Sequence, residues 1–244
     1  MNVLLLGSGG REHAMAWKLS QSSLLSKLYV APGNAGTEQI ATNVALNPMD
    51  FSAVDRYIRR NAINMLIVGP EAPLVAGIVD YFEESSKHKD LVVIGPPKAG
   101  AILEGSKDFA KAFMARHNIP TADSQTFKSG ELKQAKAYLD KRKPPYVIKA
   151  DGLAAGKGVV ITEDRKEAET TIENMLDNAS FGEAGSKIVI EQFMDGIEVS
   201  SFVVTDGTAF KILPSAKDYK RAYDGDQGPN TGGMGAISPV PFVD

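Results

Sequence analysis

The first hundred residues alternate short apolar runs with amphipathic stretches. Continuous apolar runs at 3–6, 28–30, 65–68 and 91–94 read as strands. Between them, 12–21, 51–61 and 73–85 carry apolar residues at helical spacing. Strands that are apolar throughout, rather than alternating, are buried on both faces, as in a parallel sheet covered by helices. Each run leads into a glycine-containing loop: GSGGREH, APGNAG, GPEAPL and GPPKAG. Ligands of open α/β sheets bind just beyond the carboxyl ends of the strands, so these loops mark one candidate edge.

The pattern then changes. Residues 105–118 (GSKDFAKAFMARHN) read as a helix that Pro120 closes. A strand at 122–127, a helix at 130–143, strands at 146–149 and 159–162, a helix at 164–177 and a strand at 188–192 form an α+β unit. The stretch IEVSSFVVTDGTAFKILPSA predicts a hairpin turning at Asp206-Gly207. The last stretch, DYKRAYDGDQGPNTGGMGAISPVPFVD, is rich in Gly, Pro and Asp, and its pattern predicts a long loop rather than an element.

Composition narrows the class. A chain of 244 residues with 43% hydrophobic content can bury a sizeable core. The net charge of −3 carries no broad nucleic-acid or membrane footprint, so neither is expected as a partner. The absence of cysteine excludes a disulfide framework, a thiolate nucleophile and a cysteine-ligated zinc. The start, MNVLLLGSGG, is too short in apolar residues for a secretory leader, and the apolar runs are strand-sized. The expectation is a cytoplasmic protein.

The loops carry the candidate chemistry. GSGGREH sits between a strand and a helix, where it serves either as a tight turn or as an anion site at a helix N-terminus. It is not a dinucleotide fingerprint, because the third glycine position is Glu12 and the second strand ends in Ala31 rather than an acid. His13 reads as a helix-start residue. Asn34 and Glu71 stand at strand ends, and a carboxylate on the proline-stiffened GPEAPL loop could hold an amine or hydroxyls. KADGLAAGKG, residues 149–158, joins two strands. Its Gly152 and Gly156 are one residue too close for a P-loop, and Gly158 replaces the hydroxyl. It is either a flexible hairpin or a phosphate cradle, with Lys149 on a rigid strand and Lys157 at the tip. Glu191 and Glu198 lie around a strand-to-strand break and fit either solvated acids or an adenine and ribose hinge.

Six segments in order, GSGGREHA, APGNAG, VGPEAPL, LEGSK, VIKADGLAAGKGV and GPNTGGMGA, resemble the glycinamide ribonucleotide synthetase family of ATP-grasp ligases. The resemblance spans the chain. It implies an α/β fold: an N-terminal open parallel-sheet domain followed by an ATP-grasp α+β region, incomplete at the C-terminus. The implied divisions are a substrate-binding α/β domain at 1–103, a helical linker and the start of the ATP-grasp at 104–120, a small lid subdomain at 121–193 and the start of a large subdomain at 194–244.

The resemblance also implies roles. Lys107 and Lys149 meet ATP phosphates and act in catalysis. Gly152, Ala155, Gly156, Lys157 and Gly158 form the lid over the nucleotide. Glu191 and Phe193 hold adenine, and Glu198 holds ribose. Gly9, Gly10, Arg11, Asn34, Glu71, Lys220, Arg221, Asn230, Thr231 and Gly232 line the substrate side. The implied reaction joins glycine to 5-phosphoribosylamine through a glycyl phosphate, with ATP and magnesium or manganese, in a monomer. The alternatives are another ATP-grasp carboxylate–amine ligase and a non-catalytic nucleotide-binding module. Phosphoryl transfer depends on positioning and charge neutralisation more than on a nucleophile, which suits a chain with many Gly and Lys and no Cys. Two features depart from the family. Lys217 stands in KDYKR where an uncharged polar residue, usually Gln, is implied, and the implied metal ligands, a Glu and an Asn in an E-F-N motif, fall beyond residue 244.

Overall fold

A computed structural model gives the architecture and describes residues 1–153, 158–176, 187–225 and 227–243. The N-terminal half alternates strands and helices: β1 (Asn2–Gly7), α1 (Gly10–Ser20), β2 (Lys27–Pro32), β3 (Thr42–Asn43), α2 (Phe51–Arg60), β4 (Met65–Val68), α3 (Glu71–Val75), α4 (Ile78–Glu83) and β5 (Val92–Ile94). The five strands form one parallel sheet in the order β3-β2-β1-β4-β5.

Residues on β1 alternate between two cores. Leu4 and Leu6 pack with Val54, Ile58, Leu66, Ile78 and Phe82 on one side. Val3 and Leu5 pack with Ala16, Leu28 and Val30 on the other. Both faces are dry, which is why the strand reads as an unbroken apolar run. The single helix expected at 73–85 is two short ones. Gly77 adopts a left-handed φ of 93° between α3 and α4, a conformation glycine enters without steric cost.

Next come α5 (Lys98–Gly105), α6 (Lys107–Arg116), β6 (Ser124–Lys128), α7 (Leu132–Leu139), β7 (Tyr146–Ala150), β8 (Val159–Thr162), α8 (Arg165–Leu176) and β9 (Lys187–Glu191). The sequence pattern missed α5, which ends where α6 begins. Ser106 has extended backbone, and its hydroxyl accepts the Phe109 N–H as the α6 N-cap. The four strands form an antiparallel sheet in the order β6-β9-β7-β8.

One face of this sheet is covered by α7 and α8. Tyr146, Ile148, Ala150, Ile188 and Ile190 point into that core with Phe127, Leu139, Ile172 and Met175. The period of two therefore sends Lys149 and Glu191 to the opposite face. This alternation builds the site.

Residues 193–244 are a second compact unit. Its sheet is β10 (Ser200–Thr205), β11 (Phe210–Tyr223) and β12 (Gln227–Ile237), in that order and antiparallel. The Asp206-Gly207 turn joins β10 to β11, as the hairpin reading expected. The long-loop expectation for 218–244 is corrected: most of that segment is strand. Its ladder shifts register between Tyr219 and Arg221 and again between Arg221 and Tyr223, so glycine-rich β12 pairs without the alternating pattern by which strands are recognised. Val204, Phe210 and Ile212 in this sheet are 58%, 67% and 70% exposed. Among the described residues, no helix is long and apolar enough to cross a membrane.

Ile148 is fully buried at the middle of the four-stranded sheet. Ile148→Ala is expected to lower unfolding stability by about 2–5 kcal/mol, measured by urea denaturation. A loss under about 0.5 kcal/mol, the range of ordinary surface substitutions, would contradict the packing described.

Candidate functional site

The loops at the carboxyl edge of the parallel sheet are built around a buried acid that sequence reasoning passed over. Glu12 lies in the first turn of α1, is 5% exposed, and accepts the Gly9 N–H at 2.7 Å. A Cβ at Gly7 would stand 2.5 Å from Glu12 Cγ, and one at Gly69 would stand 2.3 Å from Glu12 Oε1. The glycines ending β1 and following β4 thus leave room for a carboxylate where a dinucleotide fold has its third glycine. The signal was present in GSGGREH as Glu three residues after the N-cap.

Around this acid, Arg11 Nη1 donates to the Gly69 carbonyl at 3.1 Å and to Glu71 Oε1 at 3.0 Å, joining the β1 and β4 loops. Burial opposes the charge on Glu71, but its own backbone N–H and the Arg11 guanidinium more than offset this and hold the carboxyl below the usual glutamate range. Asn34 joins the β1 and β2 loops. Its amide N–H groups reach the carbonyls of Ser8 (2.9 Å) and Gly9 (3.4 Å), and its oxygen accepts from the N–H of Gly36 (2.8 Å) and Thr37 (3.0 Å). All four of its hydrogen-bonding positions are used. Asn34 therefore shapes the edge rather than presenting a free amide to it. Asn43, which the sequence reading did not single out, completes the loop. It donates to the Asn34 carbonyl at 2.8 Å and accepts the buried Thr37 hydroxyl at 2.7 Å. Gly9 and Gly10 form the exposed start of α1.

The second cluster lies on the face of the antiparallel sheet opposite α7 and α8, where Val147 and Val189 are buried too. β7 and β9 pair so that Val147 is opposite Glu191 and Lys149 opposite Val189. Lys149 and Glu191 are thus diagonal neighbours on one face, within reach of long side chains. Lys149 Nζ donates to Glu191 Oε2 at 2.8 Å. The other oxygen, Oε1, lies 3.5 Å from Nζ of Lys111, a residue of α6 that sequence reasoning did not select. One turn earlier on α6, Lys107 Nζ donates to the Gly152 carbonyl at 2.9 Å.

The stem of the glycine-rich segment is held by further contacts. Ala150 N–H donates to the Gly158 carbonyl at 2.7 Å, and Gly152 has a φ of 90°. Asp151, another residue the sequence reading missed, accepts the Ser106 hydroxyl at 3.1 Å and the Asp108 N–H at 3.1 Å. Asp108 in turn accepts from Thr126 at 2.7 Å and Lys187 at 3.2 Å. Burial raises the Asp108 pKa, yet those two donors leave it below the usual aspartate range. Ala155, Gly156 and Lys157 lie outside the described residues.

The remaining candidates are in the second unit. Lys220 pairs with Glu198 and lies 3.6 Å from Asp218. The Glu198 hydrogen bond, with help from Asp218, raises the Lys220 pKa. Two residues given separate roles on sequence grounds are therefore partners. Arg221 donates to the Gly228 carbonyl at 2.7 Å, and the Thr231 hydroxyl donates to the Lys220 carbonyl at 2.9 Å. Asn230 sits opposite Arg221 in the ladder, Gly232 follows on β12, and Phe193 opens the unit, 38% exposed. Lys217, the residue that departs from the expected Gln, places its ammonium 4.6 Å from the Tyr219 ring centre.

A parallel sheet with a polar loop edge, followed by an antiparallel sheet with helices on one face and, on the other, lysines paired to a buried carboxylate beside a glycine-rich hairpin, defines an ATP-grasp protein. Residues 1–104 match the family described as "Phosphoribosylglycinamide synthetase, N domain", and 105–244 match "Phosphoribosylglycinamide synthetase, ATP-grasp (A) domain". The chain belongs to the phosphoribosylglycinamide synthetase family. It is 50% identical to a phosphoribosylamine–glycine ligase of Haemophilus influenzae and 51% identical to one of Pseudomonas syringae pv. tomato, in each case over all of this chain and 56% or 55% of the relative. A crystal structure of phosphoribosylamine–glycine ligase from Thermotoga maritima superposes with a TM-score of 0.80 at 35% identity, covering all of this chain and 56% of that one. The chain spans about half the length of the curated relatives it matches.

Two expectations follow from the loop geometry. Asn34→Ala leaves the Gly36 and Thr37 N–H groups and the Ser8 carbonyl without their partner, so stability should fall by about 1–3 kcal/mol. Exchange of the Gly36 and Thr37 amides should quicken, and unchanged exchange would contradict the loop bridge. The Glu71 carboxyl titrates below the usual glutamate value, so its contact with Arg11 is complete above that range and is lost as pH falls through the lowered midpoint. An NMR titration should show that midpoint rising in Arg11→Met; a midpoint that does not move would remove Arg11 as its cause.

Proposed function

We propose that the chain is the part of a phosphoribosylamine–glycine ligase that binds ATP phosphates and forms the edge on which the small substrates sit. The observation that carries this is the convergence of Lys149, Lys111 and Lys107 on Glu191 and Gly152, at the stem of the glycine-rich segment. Fixed ammonium groups on a rigid strand and on a helix start suit a polyanion whose charge must be balanced while a phosphoryl group moves. Membership of the family along the whole chain supports the substrate assignment.

In this reading Lys107 and Lys149 contact the nucleotide phosphates, and the segment 152–158, including Ala155, Gly156 and Lys157, covers them. The chain near Glu191 and Phe193 receives adenine, and Glu198 lies on the ribose side. Gly9, Gly10, Arg11 and Glu71 take glycine and 5-phosphoribosylamine, with Asn34 fixing the loops, and Lys220, Arg221, Asn230, Thr231 and Gly232 are also read as substrate residues. The 1–103, 104–120, 121–193 and 194–244 divisions are the matching functional parts, in a cytoplasmic monomer.

The overall reaction balances in two steps. A glycine carboxylate oxygen attacks the γ-phosphorus, and the electron pair of the broken P–O bond leaves on ADP. The amine of 5-phosphoribosylamine then attacks the acyl carbon, inorganic phosphate departs with the C–O pair, and the nitrogen gives up one proton. Magnesium or manganese would neutralise phosphate charge in such a transfer. Among the described residues there is no group of three or more His, Asp or Glu placed to hold a metal ion, so no step is assigned to one.

The test is an assay of the protein at the length of its relatives with ATP, magnesium, glycine and freshly made 5-phosphoribosylamine. Glycinamide ribonucleotide should form in equal amount to ADP and phosphate, and leaving out glycine should abolish it. Turnover with a different carboxylate and not glycine would favour another ligase. ATP binding without turnover would favour a binding module.

A further inference from the structure

Lys111 belongs to none of the groups to which the sequence assigned a role, yet it is the most firmly anchored ammonium of the cluster. It donates to the Thr121 hydroxyl at 2.8 Å and to the Ala122 carbonyl at 2.8 Å, with Glu191 Oε1 at 3.5 Å completing three acceptors for three N–H groups. Its side chain is 14% exposed. Lys149 differs. Among the described residues it has one partner, Glu191, and its side chain is 28% exposed. Glu191 is 8% exposed and serves both lysines.

Two cations and one anion leave one positive charge in a half-dry place. If Lys111 were absent, the buried carboxylate would have Lys149 alone to balance it, and an unpaired buried charge is costly. Lys149 would then be held to Glu191 and less able to turn its N–H groups to a ligand. We propose that Lys111 is a positioning residue for nucleotide phosphate: it takes a share of the Glu191 carboxylate and so leaves the Lys149 ammonium available to an incoming polyanion. This rests on the nucleotide-phosphate reading of the site. Lys111 itself is committed to Thr121 and Ala122 and acts through Lys149.

The role separates from plain structural support by a double-mutant cycle in the protein at the length of its relatives, read as ATP affinity by calorimetry. Adenosine, which lacks phosphate, is the control ligand, and the melting temperature is followed throughout. Lys149→Met should weaken ATP binding at least about tenfold, the loss of one charge-assisted contact. Lys111→Met should weaken it roughly tenfold as well, should leave adenosine binding unchanged, and should add little in the Lys149→Met background. Lys111→Arg should restore most of the affinity. Three results would overturn the proposal: full ATP affinity in Lys111→Met, an equal loss for adenosine, or a loss that persists undiminished in the Lys149→Met background. If Lys111→Met does not fold, Lys111→Arg decides alone, and failure of the folded arginine variant to bind ATP overturns the proposal. If Lys149→Met leaves ATP affinity intact, the nucleotide reading and this proposal fall together. If Lys149→Met weakens ATP binding and Lys111→Met does not, only this proposal falls.

Discussion

A carboxylate almost removed from water at the end of β9 has to be balanced, and most of the site's geometry follows from that requirement. Glu191 is 8% exposed, and its two oxygens face Lys149 and Lys111. An isolated charge in such a place would cost several kcal/mol, so strand β7 and helix α6 must each bring a cation to it. The β-sheet period puts Lys149 and Glu191 on one face while Ile148 and Ile190 seal the other. The helical period places Lys107 one turn before Lys111, where it reaches the carbonyl of Gly152. A single buried acid therefore holds Lys149 of β7 and Lys111 of α6, while Lys107 and Asp151 tie α6 to the stem of the hairpin that follows.

The N-terminal domain repeats the device with a different acid. Glu12 sits inside the ring of loops at the carboxyl edge, and glycines 7 and 69 exist there because any side chain would strike it. Arg11 and Asn34 then tie neighbouring loops together. Both regions place a buried carboxylate among polar loops: Glu12 accepts the Gly9 N–H, and Glu191 faces Lys149 and Lys111.

Much of this was readable from residue order, for reasons that differ by element. The parallel sheet was legible because its strands are dry on both faces and its loops are punctuated by glycine. The place of Lys149 on a rigid strand was legible because an apolar run leads straight into the glycine-rich segment. Helix α5 was not, since it starts inside GPPKAG, which reads as a loop, and the Ser106 N-cap bond that separates it from α6 appears only in three dimensions. The β11–β12 pair was hidden because its ladder is built from Gly, Asp and Lys with register shifts, so neither alternation nor propensity marks it. Lys111 and Asp151 were passed over for a related reason. A helix-surface lysine and a turn aspartate look like solvated charges until tertiary contact brings them to Glu191 and Ser106. The pairing of Glu198 with Lys220 depends on the β10–β12 fold, which no local pattern encodes.

The central claim is that the Lys149–Glu191–Lys111 cluster and Lys107 form the seat of a nucleotide polyphosphate. The most direct test is a crystal structure of the protein at the length of its relatives, with a non-hydrolysable ATP analogue bound. Phosphate oxygens should lie within hydrogen-bonding distance of Nζ of Lys149 and Lys107, with Lys111 still on Thr121 and Ala122. A polyphosphate bound elsewhere, with Lys149 and Lys107 still engaged only by Glu191 and the Gly152 carbonyl, would contradict it.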